Sequence, residues 1–570
     1  MRGKGALLFV LVLLAWQRAA LGFGPDTVQT HVFTGEGTTK PGLSCDGSLQ
    51  RGRVCTGFLA SFDGTLLDVT LQIPPGNGPH PLVAVLHGWG GSKGSLGYLA
   101  DPLLADGHAV LRYSARGFGE SWGQVNLADI NVELVDLRSM IGQVVDEGRL
   151  HLNPDAVGVV GVSYGGGQSW LALVNPSFSS PHGAAVRIRT AVPIVPWTDL
   201  VYSLLPNGRP EDSLRPAGSA KLSYINGLYF GGLRTSATRP YPNYPEYLTA
   251  WQAWLNANEP NEADPVYQQI VDGAAGYRSI WWQDAFWRDA AANRVPVFQV
   301  QGLNDDLFPL SEAKRMLLRL PPGYPIASYF GDLGHPRAAN KLGERDYVVS
   351  LIRAWFAYYL RGLGTEPEHV IHAAVTRPRN VPFDAQRDVF TANSYAALGP
   401  VLIAREFPGS RVLINPVTDP YSGFYWDPLI MEAAAELRPL PAPPDAAVAL
   451  PLAVYTVNVG ELTSGQTLLI AGQPSVSLRA STAALRVQLD LRLIDVAPDG
   501  SRQLITRGTF LLDGPTDRDI VIPTYGNVWE APPDHTLRLE ITNLDSPYLA
   551  PSRVPSLTQI SAVRLEVPTR

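Results

Sequence analysis

The chain has 570 residues, of which 45% are hydrophobic and 17% charged, with a formal net charge of -7. That composition describes a globular protein with enough chain for two or three domains and excludes a disordered one. The acidic balance leaves no basic face for nucleic acid, so no nucleic-acid partner is expected.

Residues 1–22 read as a signal peptide. Arg2 and Lys4 precede the apolar run from Ala6 to Trp16, and Ala20-Leu21-Gly22 puts small residues where a leader is cleaved. The run is too short to span a bilayer comfortably. The expectation is a secreted, extracellular or periplasmic protein with no stable membrane insertion after cleavage. Residues 23–55 form an N-terminal extension that carries both cysteines. Cys45 and Cys55 are expected to form a disulfide in an oxidising compartment.

From residue 56 the chain alternates strands with helices. Thr56 to Phe62 and Leu66 to Ile73 flank Asp63-Gly64, a hairpin signal. Buried strands follow at Leu82 to Leu86, Ala109 to Tyr113, Val157 to Val160, Ala191 to Val195 and Val295 to Gln301, with a helix near Val132 to Glu147. The helix Asp346 to Leu360 closes the unit, and Arg361-Gly362-Leu363-Gly364 stops it. The pattern predicts a mostly parallel sheet covered on both faces. An aromatic-rich insertion at about 200–290, with Trp251, Trp254, Trp281, Trp282, Phe286 and Trp287, is expected to cap the site or to pack as a helical layer. Beyond Glu366-Pro367-Glu368 helical periodicity fades. Leu485 to Leu493, His535 to Ile541 and Val563 to Val567 alternate, and Pro498-Asp499-Gly500 reads as a hairpin turn. Residues 366–570 are therefore expected to form an all-β jelly roll or sandwich after an α/β domain at 56–365.

The chemistry is announced at Gly161-Val162-Ser163-Tyr164-Gly165, where a buried strand runs into a sharp turn and a helix start. The pattern is weak alone; Gly90-Gly91-Ser92-Lys93-Gly94 also fits it, but a glycine-rich loop separates Ser92 from its strand. A serine needs a base, and the base needs an acid to fix its tautomer. In the α/β-hydrolase arrangement these follow as Ser, Asp, His on loops after successive strands. Asp305 sits where the strand Val295 to Gln301 ends, with Asp306 beside it as the other possibility. His335 stands in the loop Gly331-Asp332-Leu333-Gly334-His335, in the same unit and after the acid. The oxyanion requires two N–H donors: that of Tyr164, after the nucleophile, and one from His87-Gly88-Trp89-Gly90-Gly91, with Trp89 the best candidate. His87 is given only a loop-shaping role.

The Ser163 elbow, Gly302 to Pro309 and Gly331 to His335, together with Leu469 to Leu478, Leu485 to Gly500 and Asp534 to Pro547, resemble the X-Pro dipeptidyl-peptidase/cocaine-esterase group of serine hydrolases. The resemblance implies an α/β-hydrolase fold with a helical cap and a C-terminal jelly roll, and hydrolysis of amides or esters of small-molecule or peptide substrates through an acyl-enzyme. It implies no cofactor and no metal. Some relatives supply an oxyanion donor from a tyrosine hydroxyl where this chain has His87 to Gly91, and Glu246, Glu259, Glu262 and Asp264 do not align with the acidic residues that hold a peptide amine. The readings carried forward are an X-Pro dipeptidyl-peptidase-like hydrolase, a carboxylesterase without peptidase activity, and an inert surface-binding protein. The jelly roll is expected to wall one side of the site. Oligomeric state is left open.

Overall fold

The computed structural model describes residues 40–234, 241–417, 423–431 and 452–570. The signal-peptide reading of residues 1–22 lies outside them. β1 (Gly42–Ser48) and β2 (Gly52–Ala60) form a hairpin in which Cys45 faces Cys55, and a disulfide joins the two. β3 (Leu66–Ile73) pairs antiparallel with β2 across the turn that holds Asp63-Gly64. Then come β4 (His80–Leu86), α1 (Gly97–Ala105), β5 (Ala109–Tyr113), α2 (Glu133–Asp146), β6 (Leu152–Val162), α3 (Tyr164–Leu171), β7 (Ser177–Ser179) and β8 (Ala185–Ile194). Five helices are inserted next: α4 (Leu200–Leu204), α5 (Leu222–Gly232), α6 (Glu246–Ala257), α7 (Pro265–Arg278) and α8 (Asp284–Asn293). The sheet resumes with β9 (Val297–Gly302), α9 (Leu310–Arg319), β10 (Ile326–Gly331), α10 (Leu342–Arg361), β11 (Ile371–Ala374) and β12 (Val389–Ala392).

The strands lie in the order β1-β2-β3-β5-β4-β6-β8-β9-β10-β11-β12, with β7 paired to β8. From β5 to β11 every neighbouring pair is parallel. Parallel strands must be covered on both faces, which their continuous apolar sequences permit. Leu82, Ala84, Val157 and Val159 enter one core. Val83, Val85, Val160 and Val192 enter the other. Each such Leu or Val side chain contributes about 1.5–3 kcal/mol on burial. This is the α/β-hydrolase fold, with the aromatic insertion packed over the carboxyl ends of the strands. Trp281 and Phe286 are buried within the insertion's core, as a packing layer requires.

Ten further strands, β13 (Val401–Asn415), β14 (Leu452–Asn458), β15 (Leu468–Gly472), β16 (Ser475–Thr482), β17 (Arg486–Val496), β18 (Arg502–Asp513), β19 (Thr516–Pro523), β20 (Asn527–Ala531), β21 (Thr536–Thr542) and β22 (Ser556–Thr569), form two antiparallel sheets among the described residues. One is β19-β16-β22-β15-β20 with β13 on β22; the other is β14-β21-β17-β18. Leu478, Val563 and Leu565 of the first meet Leu489, Leu491 and Ile541 of the second, so the C-terminal unit is a β-sandwich.

Two expectations change. A division at 365/366 falls inside the first sheet, because β11 and β12 continue it past the Glu366-Pro367-Glu368 break. From residue 42 on, the N-terminal extension is the sheet's edge hairpin rather than a separate piece. The polar face of β17 is not solvated: Gln488, Asp490 and Arg492 are buried. Ser219, which follows α4, donates to Gln488 Oε1 at 2.5 Å.

Candidate active site

β6 delivers Ser163 to the top of the sheet and α3 begins at once, so Ser163 is forced to φ +56°, ψ -111°. A side chain held in that region stores on the order of 1–3 kcal/mol, offset here by Ser163 N–H bonding to Ile194 O at 2.9 Å and Gly167 N–H to Ser163 O at 2.9 Å. Both flanking glycines are demanded by space. A Cβ on Gly161 would lie 2.3 Å from Gly165 O, and one on Gly165 would lie 2.1 Å from Leu86 O.

Ser163 Oγ is 2.8 Å from His335 Nε2, and His335 Nδ1 is 2.7 Å from Asp305 Oδ2. His335 sits in the loop after β10 and Asp305 in the loop after β9, as the sequence order requires. The His335 backbone N–H also reaches Asp305 Oδ2 at 3.2 Å, and Asp305 Oδ1 accepts from Leu307 and Phe308 N–H groups at 3.0 and 2.9 Å. Nδ1–H therefore faces the carboxylate and leaves Nε2 free to accept the serine proton. Phe308 packs edge-on to the imidazole at 4.9 Å. The geometry separates the two adjacent acids: Asp306 bonds Arg337 instead.

Tyr164 is the first residue of α3, so its N–H has no partner within the helix. The loop after β4 closes on the elbow, since a Cβ on Gly88 would stand 3.7 Å from Ser163 Cβ. Trp89 lines the space around Ser163 on both sides. Its ring is fixed by Nε1–H donating to Leu228 O at 2.8 Å and by stacking on Tyr244 at 5.7 Å. His87 is buried. Its Nε2 accepts from Ala115 N–H at 2.9 Å and its Nδ1 meets Gly88 O at 2.7 Å, which sets the tautomer. Burial lowers its pKa to about 4, although the bond to Gly88 O opposes the shift. A neutral histidine with both nitrogens in use shapes the loop and moves no proton.

Two pockets meet at Ser163. One, of about 140 Å³, runs under the insertion and is walled by Leu200, Ile225, Leu228, Leu248, Leu255 and Phe308 among others. Its one charged lining residue, Arg278, is already engaged by Asp129 at 3.0 Å, Asn126 O at 2.8 Å and Gly273 O at 2.6 Å. The other, of about 330 Å³, is reached past His335 and includes Tyr98, Gly334, Asn340 and Arg345. Among the described residues neither is lined by a residue of the C-terminal sandwich, where a jelly-roll wall was expected. Insertion helices cover that side, and the sandwich lies behind the loops carrying Asp305 and His335. Phe308 and Leu228 were not singled out from sequence; Phe308 lies within Gly302 to Pro309, the stretch that announced the acid. Among the described residues no cluster of three or more His, Cys, Asp or Glu is placed to hold a metal, and no helix is long and apolar enough to cross a membrane.

Residues 63–322 match the family described as X-Pro dipeptidyl-peptidase (S15 family). Three solved structures share the fold over nearly the whole chain. An aminopeptidase from the marine sediment archaeon Thaumarchaeota archaeon has a TM-score of 0.56 at 15% identity, covering 95% of this chain and 98% of that one. A CocE/NonD family hydrolase from Staphylococcus aureus scores 0.60 at 11% identity, covering 96% and 99%. An α-amino acid ester hydrolase scores 0.60 at 16% identity, covering 94% and 100%. The quorum-quenching protein AidA of Acinetobacter baumannii is 29% identical over 121 residues, 21% of this chain; the match spans 36% of that relative's length. The match over residues 63–322, short of half the chain, and the shared fold make the chain similar to the X-Pro dipeptidyl-peptidase/cocaine-esterase-like hydrolases, enzymes of peptidase or ester-hydrolase type.

Proposed function

We propose that the chain is an exported serine hydrolase that cleaves carboxylic esters with apolar acyl groups through an acyl-enzyme on Ser163. His335 takes the Ser163 proton as the hydroxyl attacks the acyl carbon and then gives it to the departing alkoxide. Asp305 holds the imidazole and stabilises its charged form. The N–H groups of Tyr164 and Trp89 receive the oxyanion. Water, deprotonated by His335, then releases the acid. The leaving group must lie on the side of the proton donor, and only the larger pocket is lined by His335, so the smaller pocket holds the acyl group.

The carrying observation is the character of that acyl pocket. No carboxylate lines it among the described residues. A free α-amine, charged at neutral pH, would be desolvated there with no carboxylate partner, at a cost of several kcal/mol. An aliphatic acyl chain is instead favoured by about 0.8 kcal/mol per buried methylene. Dipeptidyl-peptidase-like cleavage remains the second reading, on the strength of the family match at residues 63–322. Parallel assays with 4-nitrophenyl butyrate and Gly-Pro-4-nitroanilide separate the two. Ester turnover at least about 100-fold above the anilide in kcat/KM is expected. Preferred turnover of the anilide would overturn the ester reading. Export is supported by the leader-like sequence at residues 1–22 and by the Cys45–Cys55 disulfide. N-terminal sequencing of the mature chain, expected to start near Phe23, tests it.

A further inference from the structure

The loops that carry the acid and the base are held from outside the hydrolase half. Asp306, next to the relay acid, is fully buried. Its carboxylate accepts a two-pronged bond from Arg337, at 2.9 Å from Nε and 2.7 Å from Nη2. Arg337 lies two residues beyond His335 and has φ +95°, a strained conformation for a side-chain-bearing residue. The same carboxylate pairs at 3.2 Å with Arg507, a fully buried residue of β18 in the C-terminal sandwich. Arg507 is in turn fixed by Asp545 at 3.0 Å, by the Trp426 carbonyl and by lying 4.1 Å over the Tyr548 ring. Backbone carbonyls of the acid loop are held too, by Tyr548 of the C-terminal unit and by Lys221 of the insertion. Tyr548 Oη–H donates to Asp306 O at 2.9 Å, and Lys221 Nζ donates to Asp306 O and Leu307 O at 2.7 and 2.9 Å. Arg337 also reaches Leu504 O of the sandwich at 3.1 Å and Asn304 Oδ1 at 2.7 Å, the latter shared with Asn527 Nδ2 at 2.9 Å.

We propose that Arg507, through Asp306 and Arg337, is a positioning residue that holds the Asp305 and His335 loops in register, making the β-sandwich part of the catalytic scaffold. This rests on the relay proposed above. The reasoning is one of placement. A buried ion triad is weak evidence for stability, since desolvation offsets most of its attraction. Its value is directional: the planar guanidinium forks admit one geometry. Here that geometry fixes the residue after the acid and the residue two beyond the base. Without Arg507, Arg337 would be the one guanidinium left on the Asp306 carboxylate while keeping a strained backbone, and the strain has a route to relax towards His335. Burial opposes the charge on Asp306, yet Arg337 and Arg507 more than offset that and hold its carboxyl below the ordinary value. The Asp306 carboxylate therefore favours its charged form.

The test uses the full chain, with 4-nitrophenyl butyrate turnover and stoichiometric labelling by a fluorophosphonate. Arg507→Met should lower kcat about 10- to 100-fold, the scale expected of an ångström-sized misplacement, with KM within about twofold. Arg492→Met serves as control: Arg492 belongs to the same buried network, through Glu540 and Asp545, but touches neither catalytic loop. It should lower the melting temperature and leave kcat unchanged. If Arg507→Met does not accumulate folded, Arg507→Lys, which keeps the charge and loses the fork, should lose at least about fivefold in kcat. Labelling and turnover by Arg507→Met, or by Arg507→Lys in its place, at the wild-type rate would overturn the inference, as would an equal kcat loss in Arg492→Met. Absence of labelling in the wild-type protein would instead overturn the relay itself.

Discussion

Replacing Gly165 by alanine places a methyl group where the structure has a backbone. The added Cβ would stand 2.1 Å from Leu86 O, 2.6 Å from Leu86 C and 2.8 Å from Leu86 Cβ. Ordinary contacts need more than about 3 Å between such atoms, so α3 or the end of β4 must move by on the order of 1 Å. Neither has slack: β4 is held by parallel partners on both sides, and α3 is buried along its length. The movement falls between the two halves of the site, because Leu86 leads directly into His87-Gly88-Trp89 and Gly165 follows Ser163 by two residues. The strain should cost about 1–3 kcal/mol of stability and about 100-fold in kcat. Thermal melting and 4-nitrophenyl butyrate kinetics read the two effects, with Gly148→Ala, which meets nothing within 4 Å, as the control. A Gly165→Ala protein within about threefold of wild-type kcat would refute the claim that the elbow and the loop after β4 are packed into one rigid unit.

Three further outcomes are expected. Asp305→Asn should lower kcat by about 10⁴-fold with KM little changed, because an amide presents the wrong partner to Nδ1–H; pre-steady-state ester kinetics check it. His87 is held neutral in the folded protein at a pKa of about 4, below its unfolded value of about 6.5. The folded state thus binds fewer protons, and His87 costs stability progressively as pH falls from about 6.5 to about 4, up to about 3 kcal/mol; His87→Gln should flatten urea-midpoint curves across that window relative to wild type. Reducing Cys45–Cys55, which closes a loop with a separation of 10 residues, should cost about 2–3 kcal/mol by the loop-entropy argument. The loss should fray the edge hairpin in hydrogen exchange and leave kcat unchanged.

The proposed catalytic line could be named from sequence because nucleophilic chemistry imposes local signatures: a strand into G-x-S-x-G, an acid at a strand end, a histidine in a glycine-bounded loop. The distances at Ser163, His335 and Asp305 agree with that reading, and His87 bonds backbone on both nitrogens as expected. Sequence preferred Asp305 but left Asp306 open, because the choice turns on which carboxylate is occupied by Arg337, 31 residues away, and by Arg507 of the distant sandwich. Alternation along β17 reports two different faces, not what covers each. Gln488, Asp490 and Arg492 are covered all the same. The proline-marked break near 366 looked like a domain limit, but strand pairing, which local signals do not encode, carries the sheet on to Ala392. The apolar pocket beside Ser163 was invisible for the same reason, since Leu200, Ile225, Leu248 and Phe308 converge from separate segments.

The central claim is that Ser163 becomes a nucleophile only through His335 and Asp305. Mass spectrometry of the full-length protein after brief incubation with a fluorophosphonate tests it most directly. The account predicts one adduct per chain, mapped to the peptide bearing Ser163, absent in Ser163→Ala and strongly slowed in His335→Ala. Labelling that persists in Ser163→Ala, or that proceeds at the wild-type rate without His335, would contradict it.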